Sequence, residues 1–179
     1  LKWAAKLEGS YIPLSALRCY DPAHAVHPAL RVDGSFDLDF HASDWIIQSY
    51  TLREQGIVLV GPVPQVLIDP ILPGDLRRAA HGILREWWEP MLPDPFRLRS
   101  REYQAYAALT MCRILYTLKH GMVVSKPVAV RWAFRFLDEP WVSLIEQALA
   151  WPSGPQPDRL SETLALIRYT LERSRAFET

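Results

Sequence analysis

Apolar residues recur at helical spacing through the second half of this chain and scarcely at all in the first. In segment 75–89, Leu76, Ala79, Ala80, Ile83, Leu84 and Trp87 fall on one face, the pattern of an amphipathic helix laid on a core, and Pro90 ends it. Pro93-Asp94-Pro95 reads as a loop. The longest helix is expected over 100–120, apolar around most of its circumference at Tyr106, Ala107, Leu109, Met111, Ile114, Leu115 and Leu118, so it belongs at the centre. Gly121 stops it. Two shorter helices over 127–137 and 140–150, a Pro-rich turn over 151–157 and a last helix over 158–173 complete the pattern. Five helices with short connections predict an antiparallel bundle.

Before residue 72 the pattern is different. Segments 2–12 and 57–60 read as short strands, the second closed by Gly61-Pro62. Segment 21–40, rich in Pro, His, Asp and Gly and without clear period, reads as irregular. Ser43-Asp44 caps a helix that ends at Gly56, and Pro62, Pro64, Pro70 and Pro73 form a stiff connector. The chain is thus expected to be mainly α, with a small α+β part over 1–71 and a helical domain over 72–179. It opens at Leu1 inside what reads as a strand, so further strands are expected upstream. The bare sheet edge predicts self-association or pairing with a missing segment.

Composition narrows the function classes. Half-hydrophobic content (49%) with seven Trp and seven Tyr argues for a packed core rather than disorder. The 20 basic residues are matched by 20 acidic ones, so nothing advertises a nucleic-acid partner. Cys19 and Cys112 lie far apart without metal-ligand spacing and read as reduced thiols. No apolar run reaches the length of a membrane span, and a cytoplasmic protein with no membrane partner is expected.

Several residues offer chemistry. Ser125-Lys126-Pro127 places a Lys in the first helical turn, where free N–H groups and the dipole already carry positive charge. An anion bound at that corner and a solvated Lys beside an ordinary cap both explain it. Arg113 lies in the most apolar helix, where a guanidinium needs a carboxylate or phosphate or else must snorkel outward. Glu8, on a predicted strand, suits a metal ligand or a general base, and equally a solvent-facing partner of Lys6. Asp44 is explained simply as a first-turn acid complementing the helix dipole. His24 and His27 gather no third ligand and read as loop residues. Trp87, Trp88, Trp141 and Trp151 suit either a core or a pocket wall, to which Asp94 and Glu102 would add carboxylates. Arg113 and His120 share the Arg, six residues, His spacing of helical HEPN ribonucleases, although His120 beside Gly121 also fits an ordinary helix C-terminus.

Taken in order, the segments resemble the aminoglycoside adenylyltransferases of the streptomycin and spectinomycin type. The Glu8 strand, 57–62 with Ile68-Asp69-Pro70, 109–116, Ser125-Lys126 and Trp132-Ala133 carry the resemblance, which covers nearly the whole chain. It implies the end of a polymerase-β-type nucleotidyltransferase domain, then a helical C-terminal domain, with ATP and substrate in the cleft between them. It implies that Glu8 is the third strand carboxylate, a magnesium ligand and the base for the attacking hydroxyl. Asp44, Arg113 and Lys126 become ATP contacts, and Trp87, Asp94, Glu102 and Trp151 line the substrate wall. The implied partners are ATP with Mg2+ and a small cationic or hydroxylated acceptor. The family's first two metal ligands lie on an Asp-x-Asp strand after a Gly-Ser turn, and on this reading Gly9-Ser10 and Gly34-Ser35 lead into no such strand. The chain alone is therefore expected to be inactive. Two other readings stand beside this one: a non-catalytic helical domain that binds a small ligand or partner, and a HEPN-type ribonuclease using Arg113 and His120.

Overall fold

The computed structural model describes residues 7–151 and 157–177. The predicted strand positions 2–6 and most of the Pro-rich turn over 151–157 lie outside that range. The chain divides into two compact units, Leu1–Ile71 and Leu72–Thr179.

The first unit holds a three-stranded antiparallel sheet in the order β1-β2-β3, with β1 at Gly9–Ser10, β2 at Val26–Leu30 and β3 at Phe36–Phe40. Of the long predicted first strand, Gly9–Ser10 pairs with Leu30 and Ala29, and the Tyr11 N–H adds one bond to the Pro28 carbonyl at 2.8 Å. Segment 21–40, expected to be irregular, is a hairpin in which Val26 faces Phe40 and Leu30 faces Phe36. Its turn is built by Gly34 at φ +83° and by Asp33, whose Oδ1 accepts from the Ser35 N–H (2.9 Å) and hydroxyl (2.7 Å). Asp37-Leu38-Asp39 is therefore an Asp-x-Asp strand directly after Gly34-Ser35, against the expectation that neither Gly-Ser pair leads into one. Segment 57–60 is a further correction. It joins no strand among the described residues, and Ile57, Leu59 and Val60 are 87%, 91% and 96% exposed, because an apolar run without a pairing partner has no ladder to enter.

Four helices complete the unit or open the next: α1 (Leu14–Arg18), α2 (Asp44–Gln55), the single turn α3 (Pro64–Leu67) and α4 (Pro73–Ile83). Helix α2 stops as expected at Gly56 and buries Trp45 and Ser49. Helix α3 arises inside the expected Pro connector because Pro64 at a first helical position brings its φ already set.

The second unit is the helical one. Helix α4 begins at Pro73, with the Asp75 carboxylate reaching back to the Leu72 N–H at 3.0 Å, and continues as a π-helical segment, Leu84–Trp88. That extra residue per turn turns Trp88 into the core, where it is 1% exposed, and leaves Trp87 outside at 45%. The remaining helices are α5 (Arg101–His120), α6 (Lys126–Phe136), α7 (Trp141–Leu149) and α8 (Leu160–Ser174), each close to its predicted span. Helix α5 is central as its sequence demands, and it packs against α4, α6, α7 and α8. One core joins Trp88, Leu98, Met111, Leu144, Leu166 and Ile167, and a second joins Cys112, Leu115, Ala129, Val130, Ala133 and Ile145. At this burial each large side chain contributes roughly 1.5–3 kcal/mol of transfer free energy.

The exit from α5 decides where α6 starts. Gly121 is left-handed (φ 63°), its N–H bonds the Thr117 carbonyl at 2.7 Å, and the Arg77 guanidinium caps the Leu118 carbonyl at 3.0 Å. Residues 122–125 then run without helical structure, and the Thr117 hydroxyl donates to the Met122 carbonyl at 3.0 Å. Contacts then ascend along both helices, Lys126 meeting Tyr106 and Trp132 meeting Tyr116 and His120. Helix α6 thus runs in the same sense as α5 at this step, and its first turn lies beside the middle of α5.

Candidate functional site

In the second unit the corner at Ser125-Lys126-Pro127 is built as the sequence indicates. Ser125 is extended at the N-cap position, its carbonyl accepts from the Val128 and Ala129 N–H groups at 3.1 Å, and Pro127 occupies the first turn. The Lys126 ammonium lies over the Tyr106 ring, 4.5 Å from its centroid. Burial, and then the Arg113 guanidinium, hold its pKa below the ordinary lysine value. Among the described residues neither Arg113 nor Lys126 has a carboxylate within ion-pair distance. The structure therefore brings together two cations proposed from sequence, half-buried and uncompensated. Such a pair is complementary to a polyanion.

Behind it stands an aromatic wall that the sequence did not delineate. Tyr106 packs on Tyr103 and Trp88 with centroids 5.4 and 6.0 Å away, and the Trp87 indole N–H donates to the Tyr103 hydroxyl at 3.2 Å. The Arg97 guanidinium covers the Trp87 ring at 5.0 Å. Glu102 is exposed in the first turn of α5, and Asp94 is exposed in the loop before it. Trp151, just after the end of α7, lines a small cleft of about 20 Å³ with Arg101 and Gln104 of α5 and with Gln147 and Arg159. Gln104, which drew no attention in the sequence, is buried there and fully engaged: its amide donates to the Leu98 carbonyl and to Asp158, and its oxygen accepts from the Arg159 N–H. His120 is packed on Tyr116 at 4.4 Å and meets Trp132 edge-on at 5.8 Å.

The first unit carries a separate concavity of about 790 Å³, lined by Glu8, Ser10, Arg31, Asp39, His41, Asp44 and Trp45 among others. Glu8 and Asp44, 36 residues apart in sequence, thus share one surface through the sheet and the start of α2. Asp44 accepts from the Gln48 amide at 2.6 Å, and Asp39 pairs with Arg31 at 3.4 Å. The Asp-x-Asp strand follows Glu8 along the chain, whereas the resemblance implies a pair that precedes it. Among the described residues no three His, Cys, Asp or Glu converge at metal-ligand range, so these side chains by themselves do not form the implied magnesium site. His24, expected in a loop, donates from Nδ1 to the Asp21 carboxylate at 2.7 Å in a 3-10 turn. His27, also expected in a loop, is instead a buried residue of β2, stacked on His41 at 5.6 Å, and His41 in turn meets Trp45 at 4.5 Å. Burial, then the neighbouring His27, lower the His41 pKa against the opposing pull of Asp44 and Asp39, and its Nε2 has no hydrogen-bond partner among the described residues.

No helix among the described residues is long and apolar enough to cross a membrane. Comparison with known proteins adds the family. Residues 66–174 match the model of the aminoglycoside adenylyltransferase C-terminal domain. The chain is 32% identical over 109 residues to an aminoglycoside (3'') (9) adenylyltransferase of Escherichia coli, covering 61% of the chain and 39% of that protein. A Klebsiella pneumoniae protein of the same name is 33% identical over 109 residues, with 61% and 38% covered, and one from Rhizobium radiobacter is 28% identical over the same length and shares. The matched part spans about two-fifths of these curated relatives. Arg113 and Lys126, with Trp87, Asp94, Glu102 and Trp151, fall inside the family match, and Glu8 and Asp44 fall before it. The chain belongs to the aminoglycoside adenylyltransferase family, through the C-terminal domain that characterises it.

Proposed function

We propose that this protein is part of an adenylyltransferase that transfers AMP from ATP to a hydroxyl of an aminoglycoside or a similar small molecule, with its first unit the end of a nucleotidyltransferase domain. The observation that carries the reading is the Arg113 and Lys126 pair, two half-buried cations with no carboxylate within ion-pair distance among the described residues. Phosphoryl transfer depends on neutralising the triphosphate, and an uncompensated pair is ready for it. Arg113 and Lys126 hold the phosphates in this reading, and Asp44 adds a contact to ATP. Glu8 receives the proton of the acceptor hydroxyl as its oxygen bonds to the α-phosphorus and pyrophosphate departs. Magnesium would supply further charge neutralisation when bound. Trp87 is exposed and suits the apolar ring faces of an aminoglycoside on the side that Arg97 leaves open, and the exposed carboxylates of Asp94 and Glu102 suit its positive groups. Trp151 suits a cation less well, because Arg101 and Arg159 line its cleft.

Calorimetry tests the reading. ATP with Mg2+ is expected to bind the wild-type chain, and Lys126→Met is expected to weaken it by roughly tenfold or more, as for loss of one charge-assisted phosphate contact. The 179-residue chain alone is expected to transfer no AMP to streptomycin or spectinomycin, because no three carboxylates converge among its described residues. Aminoglycoside binding without ATP binding would replace this reading with a non-catalytic binding module. RNA cleavage abolished by His120→Ala and Arg113→Ala would replace it with the ribonuclease.

A further inference from the structure

Lys126 is held in place by something other than a counter-ion. A flexible four-carbon stem loses about 2 kcal/mol of rotamer entropy when fixed, and a carboxylate partner is the usual compensation. Here the ammonium instead meets the face of Tyr106, 4.5 Å from the centroid, well inside the range of a cation–π contact. The ring is itself fixed from behind by Tyr103 and by Trp88, which is 1% exposed. Tyr106 lies within α5, and its carbonyl also accepts from the Thr110 hydroxyl at 2.7 Å. A carboxylate in Tyr106's place would orient Lys126 equally well and cancel the charge an anion needs. A quadrupole attracts the cation and leaves its net charge intact.

We propose that Tyr106 is a positioning residue, whose ring face holds the Lys126 ammonium towards the phosphates of ATP without neutralising it. The inference rests on the proposed role of Lys126 in ATP binding. The phenolic hydroxyl has no part in it, so Tyr106→Phe is expected to behave as wild type, whereas Tyr106→Leu keeps an apolar side chain of helical propensity and loses the ring.

The experiment combines a ligand-free spectrum with a mutant cycle. In wild type and Tyr106→Phe, the ε-methylene protons of Lys126 are expected upfield of ordinary lysine through the ring current, and in Tyr106→Leu they return to the ordinary position. ATP affinity by calorimetry is expected to be unchanged in Tyr106→Phe and about tenfold weaker in Tyr106→Leu, the span of a partly desolvated cation–π contact. In a Lys126→Met background, Tyr106→Leu is expected to cost nothing further, which a general packing defect would not reproduce. Wild-type ATP affinity in Tyr106→Leu, equal losses in the Phe and Leu variants, or additive losses in the double variant would each overturn this inference and leave the ATP reading standing. Failure of the wild-type chain to bind ATP would overturn both.

Discussion

Cys112 offers a measurable test of the seam that sets the position of Lys126. It is fully buried in α5, in the cluster with Ala129, Val130 and Ala133 of α6, immediately before Arg113. Burial pushes its thiol pKa from 9.0 up to about 12. A thiol that ionises more readily in the unfolded chain than in the folded one leaves stability intact below the unfolded pKa. Stability then falls as pH rises from about 9 towards 12. At pH 10 the unfolded thiol is mostly ionised and the folded one is not, which corresponds to about 1.4 kcal/mol lost relative to pH 7. The assay is urea unfolding followed by far-ultraviolet circular dichroism at pH 7 and pH 10, in a Cys19→Ser background so that the exposed thiol does not contribute. Cys112→Ala is expected to be less stable than its parent at pH 7 by about 1 kcal/mol, because a small buried group is removed. That deficit should shrink, or change sign, at pH 10. Tyr, Lys and Arg ionisations are common to both proteins and cancel in the comparison. A parent and variant that lose the same stability between pH 7 and pH 10 would show that Cys112 is not sealed between α5 and α6, and would remove the basis for a rigid Lys126.

Two further predictions concern the frame of each unit. Gly121→Ala adds a Cβ to a left-handed residue, 2.5 Å from the Pro73 Cβ, and should cost roughly 1–3 kcal/mol in urea unfolding through backbone strain and overpacking. Gly34→Ala, left-handed but in open space, should cost less. In the first unit, the lowered pKa of His41 means that its protonation is resisted in the fold, so stability is complete above its ordinary pKa of 6.5 and declines as pH falls below it. His41→Phe keeps the tilted ring contact with Trp45 and should flatten that acid dependence in an NMR-followed titration, and an unchanged profile would refute the assignment.

The helical domain was legible because its signals are local. Pro127, Gly121 and the apolar periodicity of 100–120 each fix a helix boundary or face through chemistry within a few residues. The hairpin was hidden because Pro28 and His27 interrupt β2, although the alternation Phe36-Asp37-Leu38-Asp39-Phe40 was present and the Asp33-Gly34 turn announced it. Segment 57–60 deceived in the opposite direction. Its hydrophobicity is that of a strand, but strand formation needs a partner, and partners are not encoded within four residues. The candidate site divides in the same way. Lys126 and Arg113 could be proposed from unusual placement on helices, whereas Tyr106 became visible only when the return of residues 122–125 brought the start of α6 to the middle of α5.

Lys126 also carries a signature that separates function from architecture. Its pKa is below the ordinary 10.5, so the fold resists its charge, through burial first and through Arg113 second. The cost is present at every pH below the lowered pKa, neutral pH included, and disappears as pH rises through that value to 10.5, where the unfolded chain also gives up the proton. A residue kept for packing or pairing does not behave in this way: its removal destabilises. Lys126→Met retains an apolar stem against Tyr106, loses the attraction of the charge to the ring and relieves its burial beside Arg113, so urea unfolding at pH 7 should show a variant close to wild type in stability. The same substitution should weaken ATP binding. Near-wild-type stability together with lost affinity cannot come from a damaged fold, and it is the behaviour of a site whose uncompensated charge opposes folding and serves a ligand. A Lys126→Met variant destabilised at pH 7 by more than the roughly 2 kcal/mol that a cation–π contact supplies would show that Lys126 is a structural residue and not part of an anion site.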